Sequence, residues 1–237
     1  MSVNPTAAAG FDSGAEAYER GRPSYPDEAI AYVARVLGLG PGKRVLDLAA
    51  GTGKMTRLLV PTGVDLVAVE PVAGMRTAFA AAVPGVEVLD GTAEALPLPD
   101  RSVDAVVVAQ AFHWFDQQRA LSEIDRVLKR GGGVALVWNR RDESVPWVAD
   151  MSRIIHWNRG LNPQYDGFAL DGFTKWSCSY VQSLSHDGLL DRVASVSYIA
   201  AMDERERAGV LAQVSELVRG FTEPIPLPYV TEVFTRT

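Results

Sequence analysis

The chain has 237 residues, 47% of them hydrophobic and 22% charged, which is enough to bury a full core and excludes a disordered or fibrous protein. A formal charge of -6 without any run of lysine or arginine argues against a nucleic-acid partner, because phosphate neutralisation needs a basic footprint. The single cysteine, Cys178, excludes an internal disulfide and any cysteine-based metal cluster.

No apolar stretch reaches the roughly 20 residues that span a bilayer, and the opening "MSVNPTAAAGFDSG" lacks the basic-then-apolar order of a secretory signal. The expectation is therefore a cytoplasmic protein without membrane contact, a monomer or homodimer that acts on a small molecule. One domain is expected over residues 1–237. Within it, residues 1–40 are read as an N-terminal segment and helix, 41–140 as the core, 140–186 as an insertion over the ligand face, and 187–237 as strands completing the sheet.

In chain order, "AEAYERGRPSYPDEAIAYVARVLGL" reads as a short amphipathic segment, a proline turn and a helix capped by Asp27, with Ile30, Val33, Ala34 and Leu37 on one face. "RVLDLA" reads as a buried strand and "GKMTRLLVPTG" as a helix stopped at Pro61 and Gly63. "DLVAVE" is a strand, and "VAGMRTAFAAAVPG" is a helix stopped at Pro84 and Gly85. "VEVLDG" and "VDAVVVAQ" are further strands around the loop "TAEALPLPDRS". Asp116 then caps a helix with Leu121, Ile124 and Leu128 at core spacing, closed by "KRGGG", and "GVALVWN" is a fifth strand.

Near-continuous apolar strands alternating with helices predict a doubly wound, Rossmann-like α/β fold with a mostly parallel sheet of seven strands. In the tail, "VASVSYIA" and "YVTEVFTR" alternate like half-wet strands around a helical "ERERAGVLAQVSELVRGF", which predicts an antiparallel late strand. The insertion carries Trp147, Trp157, Tyr165, Phe168, Phe173, Trp176 and Tyr180, some packing on the core and a subset lining the pocket.

The glycine turn in "VLDLAAGTGK", residues 45–54, carries the chemistry. A strand ending in glycines and opening a helix points backbone N–H groups and a positive dipole end at a ligand. A nucleoside-triphosphate loop needs a glycine five residues before its Gly-Lys pair and Ser or Thr after it, but those places hold Leu48 and Met55. A dinucleotide turn needs a third glycine where Thr56 stands. What remains is Asp47 ahead of Ala50-Gly51-Thr52-Gly53, with Glu70 ending the second strand.

This pattern resembles the first two motifs of the class I S-adenosylmethionine-dependent methyltransferases. "GTAEALPLPDRSVDAVVVAQAFHWFD", "EIDRVLKRGGGVALVWN" and the lid-like "YERGRPSYP" are similar to the small-molecule branch known as methyltransferase type 11. The resemblance covers roughly residues 11 to 140. It implies S-adenosyl-L-methionine as cofactor, with Asp47 and the turn through Ala49, Ala50, Gly51 and Gly53 at its amino-acid end and Glu70 on both ribose hydroxyls. By the same resemblance Pro71 and Met75 flank the adenine, Thr92, Ala93 and Glu94 face its edge, and Gln110 lines the methionine chain. Ala49 departs from the family pattern, which has glycine there.

Methyl transfer from a sulfonium needs mainly alignment of the acceptor and exclusion of water. His113, in "AFHWFD" beside the cofactor, is the candidate base for a hydroxyl or protonated-nitrogen acceptor, and Trp114 is a candidate wall for a planar one. Tyr18 and Arg22 in the lid are candidates to meet the cofactor carboxylate or the acceptor. His156 and His186 have no ligand spacing with acids or with Cys178, so no metal is expected. The leading reading is a metal-independent methyltransferase for a small organic acceptor, oxygen slightly ahead of nitrogen or carbon. A non-catalytic cofactor-binding protein and a nicotinamide-dependent oxidoreductase are the alternatives.

Overall fold

The computed structural model describes residues 22–156 and 170–237. Helix α1, Asp27–Val36, buries Ala29, Ile30 and Val33. Asp27 does not cap it: Pro26 holds the extended cap position, and Asp27 and Glu28 lie in the first turn, where their charge favours the helix dipole. Strand β1, Arg44–Leu48, leads through the glycine turn into α2, Lys54–Leu59, and a 3-10 turn, Val60–Thr62, stops at Gly63. Strand β2, Asp65–Val69, is followed by α3, Ala73–Ala82, and by the short β3, Glu87–Leu89.

Strand β4, Val103–Ala109, precedes α4, Gln117–Val127, which Asp116 caps as expected by accepting from Arg119 N. The helix ends at Val127, however, and "KRGGG" belongs to β5, Leu128–Arg141. After α5, Pro146–His156, come β6, Thr174–Leu184, and three helices: α6, His186–Ala194, α7, Ser197–Ala200, and α8, Glu204–Val218. Strand β7, Ile225–Arg236, closes the order.

The seven strands form one sheet in the order β3-β2-β1-β4-β5-β7-β6. The first five are mutually parallel, and β7 lies antiparallel between β5 and β6. The alternation of side chains along each strand divides the core into two layers. Leu46, Leu48, Val106, Val108, Leu136 and Trp138 meet Phe112 and Ile124 on one face. Val45, Ala105, Val107, Ala135 and Val137 meet α1 and α2 on the other. Both faces are dry, which is why these strands read as unbroken apolar runs.

Two expectations for the later chain fail. "VASVSYIA" is helical: Ser195 is the C-cap of α6, with its N–H on Asp191 O, and Val193 and Ile199 enter a core shared with α5, α8 and the start of β7. Residues 174–184, placed in a cap over the ligand face, form the outer strand of the sheet instead. Trp176 stacks on Tyr32 at 4.4 Å, Phe173 packs on the main core, Tyr180 lies 6.1 Å from Tyr229, and Trp147 sits edge-on to Phe221. These four aromatics hold the body together and do not line the cavity described below. Trp157, Tyr165 and Phe168 lie outside the described residues. Among the described residues, no helix is long and apolar enough to cross a membrane.

Candidate cofactor and acceptor site

Strands β1 and β4 end at a cavity whose lining includes Asp47, Ala49, Ala50, Gly51 and Gln110. This is the carboxyl edge of the sheet beside the reversal in strand order, where open α/β sheets bind ligands. The turn is built by left-handed backbone at Ala49 (φ 57°), Gly51 (φ 57°) and Gly53 (φ 81°). The two glycines serve different ends. A Cβ on Gly53 would lie 2.5 Å from Val83 Cγ2 and 2.9 Å from Phe79, so this glycine lets α3 pack against the turn. A Cβ on Gly51 would meet nothing within 4 Å, so that backbone faces open space.

Asp47 is 1% exposed and accepts from Thr56 Oγ1 at 2.5 Å through Oδ2, while its buried Oδ1 has no partner. Burial pushes its carboxyl up to about 7; the Thr56 hydrogen bond opposes the shift and the nearby Glu70 charge adds to it. Glu70 follows β2 and is likewise buried. Its Oε2 accepts from Gly51 N and its Oε1 from Val72 N, both at 2.9 Å, so the carboxylate ties the glycine turn to the start of α3. Burial raises its pKa, against the two backbone hydrogen bonds and the Arg76 charge. A carboxylate oxygen has two lone pairs, so each Glu70 oxygen keeps one acceptor site for a ligand hydroxyl.

The other predicted positions divide. Gln110 has φ 57° in a non-glycine residue and fixes its amide by donating to Asn139 O at 3.2 Å. Pro71 follows Glu70, and its carbonyl accepts from Arg76. Thr92 bridges to Ala95, and Ala93 is buried in the core. Glu94 accepts from Asp116 N at 2.9 Å, which ties its loop to the cap of α4. Met75 is buried in α3 and does not line the cavity.

His113 and Trp114 lie in a 3-10 turn, Phe112–Trp114, with their rings 4.7 Å apart. His113 Nδ1 is buried without a hydrogen-bond partner, and burial, with the Arg22 charge nearby, lowers the imidazole pKa to about 4. Trp114 is 38% exposed. Arg22 lines the cavity, and its carbonyl accepts from Lys54 Nζ at 2.7 Å, so α2 holds the segment that leads into α1. Tyr18 lies outside the described residues.

The family model for a methyltransferase domain matches residues 46–136. Over 232 residues the chain is 44% identical to the uncharacterized methyltransferase Rv3342 of Mycobacterium tuberculosis, a match covering 93% of this chain and 92% of that one. The chain belongs to the class I S-adenosylmethionine-dependent methyltransferases. An uncharacterized methyltransferase-like protein of Schizosaccharomyces pombe, C25B8.10, is 34% identical, covering 92% of this chain and 91% of its own. The fold also matches a structure from Anaeromyxobacter dehalogenans, provisionally assigned as a type II methyltransferase, with a TM-score of 0.63 at 24% identity, covering 91% and 96% of the two chains.

The residues of this methyltransferase suit its methyl donor on three counts: the open flank of Gly51, the unpartnered Oδ1 of Asp47, and the spare acceptor sites of Glu70. Sequence reasoning misses several residues that the fold adds to the cavity, notably Lys54, Asn139 and Arg192. Lys54 and Asn139 stand at the ends of motifs already recognised, directly after the glycine turn and at the end of "GVALVWN". Arg192 has no local signal, because it reaches the cavity only through the packing of α6.

Proposed function

We propose that this methyltransferase methylates a small organic acceptor, preferentially at oxygen and without a metal, using S-adenosylmethionine. The observation that carries this reading is the pairing of the open Gly51 backbone with the unpartnered Asp47 oxygen at the carboxyl edge of the sheet. The cofactor supplies an electrophilic methyl group on a sulfonium. Asp47 and the turn from Ala49 to Gly51 hold its amino-acid end, and Glu70 takes the ribose hydroxyls. Gln110, held by its hydrogen bond to Asn139 O, lines the same cavity and would flank the methionine chain.

His113 supports oxygen as the acceptor atom. An imidazole whose pKa lies near 4 stays neutral at physiological pH, a weak base that can still accept a hydrogen bond from an acceptor hydroxyl and orient it. A carboxylate acceptor needs no such group. Among the described residues no group of three His, Cys, Asp or Glu side chains is arranged to hold a metal.

Calorimetric titration with S-adenosylhomocysteine, with NADH as control, tests the cofactor. Micromolar binding of the first and none of the second is expected, and Asp47→Ala and Glu70→Ala should each weaken it. Wild-type affinity in both variants would overturn the site. Screening hydroxyl and carboxylate acceptors against amines, with and without a chelator, then tests the acceptor atom and the metal.

A further inference from the structure

The cavity lining brings Arg22, Lys54 and Arg192 together. Arg192, on α6, lines the cavity and is 7% exposed. Its Nε donates to Tyr229 Oη at 2.9 Å, and its Nη1 approaches Ser195 Oγ at 3.5 Å. Arg141, at the end of β5, pairs in register with Tyr229 of β7 and donates from Nε to Ser152 Oγ at 3.0 Å. Tyr229 thus stands between two guanidiniums. Arg22 joins them from the N-terminal side, donating to Ser195 O at 3.4 Å and lining the same cavity.

Neither Arg141 nor Arg192 forms a salt bridge with a carboxylate of the described residues; their hydrogen bonds go to neutral hydroxyls. Other arginines behave differently: Arg76 pairs with Asp90, Arg126 with Asp100 and Glu123, and Arg140 with Glu232. Burying the Arg192 cation beside a second, partly buried guanidinium, with neither paired to a carboxylate of the described residues, is costly, and a fold tolerates it where a ligand supplies the missing charge. Burial and the Arg192 charge push the Arg141 guanidinium below its usual range, offset only in part by Tyr229, Tyr198 and Glu143.

We propose that the acceptor carries an anionic oxygen group, a carboxylate or a phosphoryl, which Arg192 binds from the cavity lining beside Arg22, with the Arg141 guanidinium behind Arg192 adding its charge. This rests on the methyl-transfer reading for the reaction but not for the charge. Guanidinium forks suit planar or tetrahedral oxyanions, and the hydroxyls of Tyr229, Ser195 and Ser152 hold the two guanidiniums in place. Specificity follows, because a neutral analogue leaves the buried Arg192 cation without a counterion.

The test is thermal unfolding of the full chain with succinate, inorganic phosphate or uncharged succinamide at matched ionic strength, with and without S-adenosylhomocysteine. Succinate or phosphate should raise the midpoint saturably, the more effective one naming the group, and succinamide should not. Arg141→Gln and Arg192→Gln should each weaken the response about tenfold or more, and Arg141→Lys should keep part of it. Without added anion, Arg141→Gln should melt no lower than wild type, since it removes one of two neighbouring like charges. Equal effects of succinamide, no anion response in wild type, or an undiminished response in both glutamine variants would overturn the proposal. Absence of S-adenosylhomocysteine binding with the anion response intact would instead count against the methyl-transfer reading alone.

Discussion

The hydroxyl of Thr56 donates to Asp47 Oδ2 at 2.5 Å, from a position where a dinucleotide-binding turn would have its third glycine. Thr56 is fully buried, so this bond satisfies one oxygen of the aspartate without solvent and leaves the other for a ligand. A glycine there could not do so. The residue that excludes one cofactor class thus prepares the turn for another.

Asp47→Asn separates the charge of this group from its shape. The folded carboxyl titrates near 7 and an unfolded aspartate near 3.8, so between these values the folded state keeps a proton that the unfolded chain has released. Stability from this group is full below 3.8, falls as pH rises towards 7 and is level above it. Asparagine still accepts from Thr56 and carries no charge. Urea unfolding should find the variant more stable than wild type at pH 8, by about 2 to 4 kcal/mol at most, and equal to it near pH 4. Its affinity for S-adenosylhomocysteine should fall about tenfold.

The two glycines of the turn should fail differently. Gly53→Ala drives a methyl group into Val83 and Phe79 at a left-handed position and should cost about 2 to 4 kcal/mol of stability in denaturant unfolding. Gly51→Ala meets no atom of the protein and should cost about 1 kcal/mol, while calorimetry should show the larger loss of cofactor affinity. Equal stabilities for the two variants would contradict this division of labour.

Ala49 already occupies a left-handed conformation that suits glycine. Ala49→Gly should relieve that strain, partly offset by the greater freedom of glycine in the unfolded chain, for a net gain of about 0.5 to 1 kcal/mol in urea unfolding. A loss of stability would show that the methyl group makes contacts worth more than the strain.

His113 should titrate near 4 when followed by its ring proton resonances, and not near 6.5. Because the folded value is lowered, its contribution to stability is complete above 6.5 and is lost as pH falls towards 4. If it orients a hydroxyl acceptor, His113→Ala should lower kcat about tenfold, with a much smaller effect on a carboxylate acceptor.

Strands β1 to β5 are legible in the sequence because both faces are buried and their apolar runs have no other explanation. The glycine turn, Asp47 and Glu70 are legible for a different reason: their spacing is local, set by one strand, one turn and the next strand. Strand β6 has no fully buried residue, and its one local mark is the alternation of half-buried Trp176, Cys178 and Tyr180 with exposed Ser177 and Ser179, which the aromatic content of the span obscures. The alternation in "VASVSYIA" misleads because Val193 and Ile199 are buried from two successive short helices whose junction mimics a strand period. Arg141 and Arg192 meet only around Tyr229, across three elements, and no window of sequence contains that meeting.

Strand β7 lies between two strands that precede it in the chain, pairing with β5 along one edge and β6 along the other. During synthesis, β5 and β6 therefore emerge as two unmatched edges, and neither is covered until residues 225–236 arrive between them. Open edges of this kind are where nascent chains recruit one another. The same late strand brings Tyr229 between the two arginines, so a chain that stalled before it would lack both a closed sheet and an assembled arginine pair.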